Sequence, residues 1–187
     1  MKFHSCIDIE ASGFGPRSYP IEVGVFLANG ERYSRLIRPM WNWRHWDTQA
    51  ESVHGITRDQ LAHYGLDVVE VCAELNDLCA GETLYTDAWS HDSRWLTTLF
   101  HAGRTVMNFK CRAVEMVLDE YATEHWTELK HEAARQLGLA EHRAINDAFI
   151  VQHALVKAEQ SAAIEPTFNA RAKQWLNESR KKVAGWV

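Results

Sequence analysis

The stretch KFHSCIDIEASGFGPRSYPIEVGVFLANGERYSRLIRP, residues 2–39, decides the fold. Its opening alternates: Phe3, Ser5, Ile7 and Ile9 fall on one face, Cys6, Asp8 and Glu10 on the other. That is the pattern of a strand. The turn residues SGFGPRSYP then lead into IEVGVFL, and Asn29-Gly30 separates this apolar run from ERYSRLIRP. Asn-Gly between two apolar runs is a hairpin signal, because both residues tolerate the positive φ of a tight turn. The chain therefore begins as three strands, the last two antiparallel.

Downstream the period changes. After the aromatic segment MWNWRHWDTQAESVHG, read as a loop, Thr57 and Gln60 form a capping box. Asp67 caps a further helix carrying Val68, Val71, Cys72, Leu75 and Leu78 at helical spacing. TLYTD reads as a strand, SHDSRWLTTLF as a helix, and TVMNF as another short strand. Helices follow near 111–121 and 126–137, the second ended by Gly138, and a long one from about Arg143 to Ala158. Strands first, then alternating helices and strands, imply an α/β sandwich on a mixed sheet. Residues 1–165 make one domain. Residues 166–187 form an amphipathic helical tail, with Arg171, Lys173, Arg180, Lys181 and Lys182 against one carboxylate, Glu178. That tail suits either a basic arm for a polynucleotide or a homodimer contact through Trp175, Leu176 and Trp186.

Composition narrows the function. The 187 residues carry 20 Lys plus Arg against 25 Asp plus Glu, a net charge of −5, with 46% hydrophobic residues. These values exclude disorder, collagen and coiled-coil arrays, and they exclude nucleic-acid binding by bulk positive charge. The 10 His and 8 Trp are in excess. No apolar h-region opens the chain and no run suits a membrane span, so the expectation is a cytoplasmic protein with no membrane partner. Cys6, Cys72, Cys79 and Cys111 form no C-x-x-C pair and read as buried reduced thiols.

Asp8 and Glu10, two apart on a strand, project from one face, and like charges so close call for a cation. Hard oxygen ligands favour Mg²⁺ or Mn²⁺. A D-x-E pair alone is weak, expected about 0.8 times by chance in this composition, and an H-x4-D pair about 0.5 times. The chain has two of the latter, His54/Asp59 and His142/Asp147.

Context is what discriminates. DIEASGFG, PIEVGV, VHGIT, HDSRWL and EHRAINDA, in that order over about three quarters of the chain, resemble the DEDD superfamily of 3′→5′ exonucleases. Asp8 to Gly13 is similar to the first motif, and His142 to Ala148 to the third motif of the histidine (DEDDh, DnaQ-like) subclass. The resemblance implies a ribonuclease-H-like fold and two divalent ions per site, Mg²⁺ or Mn²⁺, held by Asp8, Glu10, Asp92 and Asp147. It implies His142 as general base, and His54/Asp59 as a decoy. Its partners would be single-stranded DNA, RNA or short oligonucleotides, and its products nucleoside 5′-monophosphates. Ala11, Ser12, Gly13, Phe14, His54, Gly55 and Ile56 would border the 3′-terminal nucleotide. The second motif departs from the family: DAWSHD stands where H-N-A-x-F-D is common, leaving Asp87 as a rival to Asp92. A spacing of five turns about 140° around a helix, so His142 belongs on the turn entering the helix that carries Asp147. Phe14 is either a base-stacking residue or a loop residue closing the core. Trp41, Trp43 and Trp46 suit packing or a stacking platform. Two other classes remain: a non-catalytic nucleic-acid-binding protein on the same fold, and a hydrolase of dinucleotides or small phosphoesters.

Overall fold

The computed structural model describes residues 2–160. Five strands, β1 (Ser5–Ala11), β2 (Pro20–Phe26), β3 (Arg32–Leu36), β4 (Thr83–Thr86) and β5 (Lys110–Ala113), form one sheet in the order β3-β2-β1-β4-β5. Strand β2 runs antiparallel to both β1 and β3, and β4 and β5 run parallel to β1. This is the mixed sheet the sequence implies. Seven helices surround it: α1 (Thr48–His54), α2 (Arg58–Tyr64), α3 (Val68–Leu78), α4 (Trp89–Ala102), α5 (Glu120–Glu124), α6 (Trp126–Leu137) and α7, residues 144–160.

Local signals act as read. Gly30 takes φ 90 in the β2–β3 turn, and the capping box of Thr57 and Gln60 opens α2. Asp67 caps α3, and Gly138 ends α6 in the left-handed conformation. All four cysteines are buried and unbridged. Among the described residues no helix is long and apolar enough to cross a membrane.

Three expectations are corrected. TVMNF is not a strand: Val106 is 83% exposed, and the segment is tied to α3 by Asn76, which bonds the Val106 carbonyl and the Asn108 N–H. The strand lies one step later, at β5, where pairing with β4 overrides local pattern. The helix expected over 111–121 is accordingly replaced by the end of β5, a single 3₁₀ turn at Val114–Met116 and α5. The aromatic segment also contains a helix, α1, capped by Asp47 and closed by Gly55 at φ 68. The tail, residues 166–187, lies outside the described residues.

Each face of the sheet is covered. Ile7 and Ile9 of β1 pack with Val71 and Leu75 of α3 and Leu96 and Leu99 of α4. On the other face, Cys6 packs with Ala148, Val151 and Leu155 of α7. A β-carbon at Gly24 would lie 2.2 Å from the Ala144 carbonyl carbon and the Ile145 nitrogen, so α7 begins in direct contact with β2. Asp8 pairs with Gly24 across β1 and β2. The missing side chain thus brings the start of α7 to the strand face that carries the acids.

Candidate active site

The acids meet where the parallel strands end, the usual place for ligands in open α/β sheets. A cleft of about 400 Å³ is lined by Asp8, Glu10, Asp87, Asp92, Lys130, His142 and Asp147, among others. Asp8 and Glu10 come from β1, Asp92 from the first turn of α4, and Asp147 from the first turn of α7. Helices on opposite faces of the sheet therefore supply the third and fourth carboxylates.

Each acid is held. Thr86, at the end of β4, donates its hydroxyl to Asp92 Oδ2, and Thr86 Oγ1 in turn accepts from the Ala88 N–H. Asp92 is fully buried, and its Oδ1 has no partner among the described residues. The His142 N–H donates to Asp147 Oδ2 at 2.7 Å. His142 itself is exposed, sits at φ 67 and precedes α7, on the turn where the spacing puts it. Ligand atoms of Glu10, His142 and Asp147 all lie within 4.8 Å of one another.

Asp87 is engaged differently. Its Oδ2 accepts from Lys130 Nζ at 2.6 Å and from the Trp126 indole at 3.4 Å. Asp87 is thus engaged by a cation and an indole, whereas Asp92 has only the neutral Thr86 hydroxyl on one oxygen and no partner for the other among the described residues.

The electrostatics are strained without a cation. Burial pushes the Asp8 carboxyl well above the usual carboxylate range, and Asp92, Asp147, Glu10 and Asp87 push it further. Burial lifts Glu10 to about 7, with Asp147 and Glu22 adding to it and Arg143 opposing. Asp92 is raised by burial and by Asp87 and Glu10, against the Thr86 hydrogen bond and Lys130. Asp147 is raised by burial, against the His142 N–H. Burial works against the Lys130 charge, yet Asp87, Asp8 and Asp147 hold its pKa above the usual value. A hard divalent cation bound by these oxygens would remove the repulsion, and the orphaned Oδ1 offers it a ligand. The donor set fits such an ion.

Beside the acids lies a second cavity of about 350 Å³, bordered by Glu10, Ala11, Gly13, Phe14, Val53, His54, Trp95 and His142. Phe14 is 67% exposed, edge-on to His91 at 5.5 Å and tilted against Trp95 at 6.4 Å, so it does not close the core. His54 is buried and accepts from the Ile56 N–H at Nδ1; burial lowers its pKa, and Nε2 has no partner among the described residues. Neutral His54 therefore presents a free N–H donor. Ser12, Gly55 and Ile56 do not line this cavity. Ser12 ties the β1–β2 turn to Tyr19 and His45, Gly55 caps α1, and Ile56 packs with Tyr19, Ile21 and Leu61.

Glu22 had no role in the sequence reading, although PIEVGV was one of the motifs. It is 1% exposed, accepts two hydrogen bonds from the Arg143 guanidinium at 2.6 and 3.1 Å, and accepts the Ala144 N–H at 3.0 Å. One β2 carboxylate thus fixes both flanks of the α7 start, setting the position of His142 and Asp147. The alternation of β2 hides it, since the strand is buried on both faces.

No family model matches the chain, and no curated protein matches it. Solved structures do. Exonuclease I from Methylocaldum szegediense superposes with TM-score 0.61 at 16% identity, over 86% of this chain and 41% of that one. Escherichia coli exonuclease I in complex with a dA16 oligonucleotide gives 0.65 at 16% identity, over 90% and 43%. The zinc-bound form of the E. coli enzyme with single-stranded DNA gives 0.60 at 15% identity, over 90% and 43%. The chain spans less than half the length of these exonuclease I chains and has the ribonuclease-H-like fold they share with it.

Proposed function

We propose that this chain is a metal-dependent 3′→5′ exonuclease of the DEDD histidine subclass, acting on single-stranded nucleic acid and releasing nucleoside 5′-monophosphates. The observation that carries the reading is the convergence of four carboxylates and His142 on one cleft that opens onto an aromatic-walled cavity. Two Mg²⁺ or Mn²⁺ ions, held by Asp8, Glu10, Asp92 and Asp147, would neutralise phosphate charge and acidify the attacking water when bound.

The protein's own residues do the rest. Phe14 and Trp95 flank the 3′-terminal base, and stacking there is worth about 1–3 kcal/mol without sequence preference. His54 Nε2–H donates to the terminal nucleotide. His142, exposed and at the entrance, accepts the proton of the attacking water as general base. The water oxygen bonds phosphorus, the bond to the 3′ oxygen of the preceding nucleotide breaks, and that oxygen takes up a proton from solvent while His142 returns its own to solvent. A 5′-monophosphate leaves, and the shortened chain ends in a new 3′-hydroxyl. Glu22 and Arg143 hold His142 and Asp147 in register.

Incubating a 5′-labelled oligonucleotide with protein and Mg²⁺ or Mn²⁺ tests the reading. A descending ladder is expected, and its rate at several lengths separates the alternatives. Binding without a ladder sinks the catalytic reading in favour of a binding protein. Turnover confined to dinucleotides sinks the polymer reading in favour of a small-phosphoester hydrolase.

A further inference from the structure

A third cavity, of about 480 Å³, lies outside the catalytic cleft and is lined by Arg17, Asn42, Trp43, Arg44, His45 and Trp46. It contains no carboxylate, in a protein whose net charge is −5. We propose that this cavity binds the phosphodiester backbone and a base of the nucleotides upstream of the 3′ end, and so sets how long a substrate the protein prefers. The inference rests on the exonuclease reading and extends it to a second subsite.

Three observations carry it. Arg17 and Arg44 are exposed, and neither has a carboxylate within ion-pair distance among the described residues. Two such guanidiniums attract an anion, and their planar forks suit phosphate. The aromatic wall is also fixed in advance. Trp43 stacks on buried Tyr19 at 5.0 Å, and Trp46 donates its indole N–H to Glu51 while Arg58 lies 5.5 Å from its ring centroid. His45 is tied at 3.4 Å to Ser12, itself 1% exposed. Rigid aromatic walls beside free cations are the combination that holds single strands. Finally, this cavity and the terminal one are built from the same two segments. The β1–β2 turn gives Gly13 and Phe14 to one and Arg17 to the other, and the segment ending in Asp47 flanks both. The Asp47 N–H donates to the Ser12 carbonyl at 2.9 Å and binds the segments together.

The test uses the full chain and oligothymidylates of two and eight nucleotides, each with 5′-fluorescein and a phosphorothioate 3′-terminal linkage, read by anisotropy with Mg²⁺. The variant is Arg17→Gln with Arg44→Gln, two exposed positions, and its thermal melt is checked against the parent. Removing two phosphate contacts from a single strand lowers the salt slope by about 1.4, and so weakens octamer binding about 25-fold at 0.1 M salt relative to 1 M. Dimer binding is unchanged, and Arg17→Lys with Arg44→Lys restores most of the slope. Unchanged octamer affinity and slope, or equal loss for dimer and octamer, overturns the proposal. Arginine-dependent octamer binding by a protein that cleaves no oligonucleotide removes the exonuclease reading and leaves the site standing. Cleavage indifferent to the arginines does the reverse.

Discussion

Glu10→Gln in metal-free protein is the sharpest probe of the strained cluster. The Glu10 carboxyl stands at about 7 against an ordinary 4.5, because it is buried and faces Asp147 and Glu22. One pKa unit is about 1.36 kcal/mol, so ionising Glu10 in the fold costs at most about 3.4 kcal/mol. The cleft admits solvent, and screening brings the figure to about 2 kcal/mol. The folded form binds the proton more tightly than the unfolded chain. Parent stability is therefore full below pH 4.5, falls as pH rises to about 7, and levels off above. Glutamine carries no charge and escapes that loss. With chelator at pH 8, the variant should exceed the parent by about 2 kcal/mol, or about 4–8 °C in Tm for a protein of this size. Below pH 4.5 the two should coincide. Saturating Mg²⁺ or Mn²⁺ should invert the order, since an ion at 100 times its Kd adds about 2.7 kcal/mol to the parent. Calorimetry or circular dichroism melts across pH 4–8 provide the measurement. A variant no more stable than the parent at pH 8, or a difference independent of pH, refutes the reasoning.

Gly24→Ala should destabilise the fold by about 2–3 kcal/mol or more, because the new methyl meets α7 backbone at 2.2 Å and no rotamer relieves it; denaturant titration reads this. Phe14→Ala should leave stability within about 0.5 kcal/mol, the residue being exposed, while raising KM for oligonucleotides by roughly 5- to 100-fold through lost stacking. His142→Ala should cut kcat by about 10²–10⁴, with Tm little changed since the ring is exposed.

The sequence carried the strand face of Asp8 and Glu10, the Asn-Gly hairpin, the caps at Thr57, Asp67 and Gly138, and the turn position of His142, because all depend on neighbours along the chain. What escaped it depends on partners far away. β5 is a strand because β4 lies beside it, although TVMNF has the better local pattern. Glu22 meets Arg143 across 121 positions. Helix α1 was legible in Asp47 and Gly55, but the surrounding tryptophans obscured it. Those tryptophans divide by role: Trp43 and Trp46 pack onto Tyr19, Ile21 and Leu61, whereas Trp41 is 80% exposed.

The central claim is that the cluster around Asp8 is a hydrolytic metal site. Its most direct test is the length distribution of 5′-labelled single-stranded DNA and RNA octamers after incubation with Mg²⁺ or Mn²⁺, for the parent and for Asp8→Ala. The account predicts stepwise shortening from the 3′ end by the parent, its loss with chelator, and no shortening by the variant. Cleavage undiminished in Asp8→Ala, or no cleavage by the folded, metal-loaded parent, contradicts it.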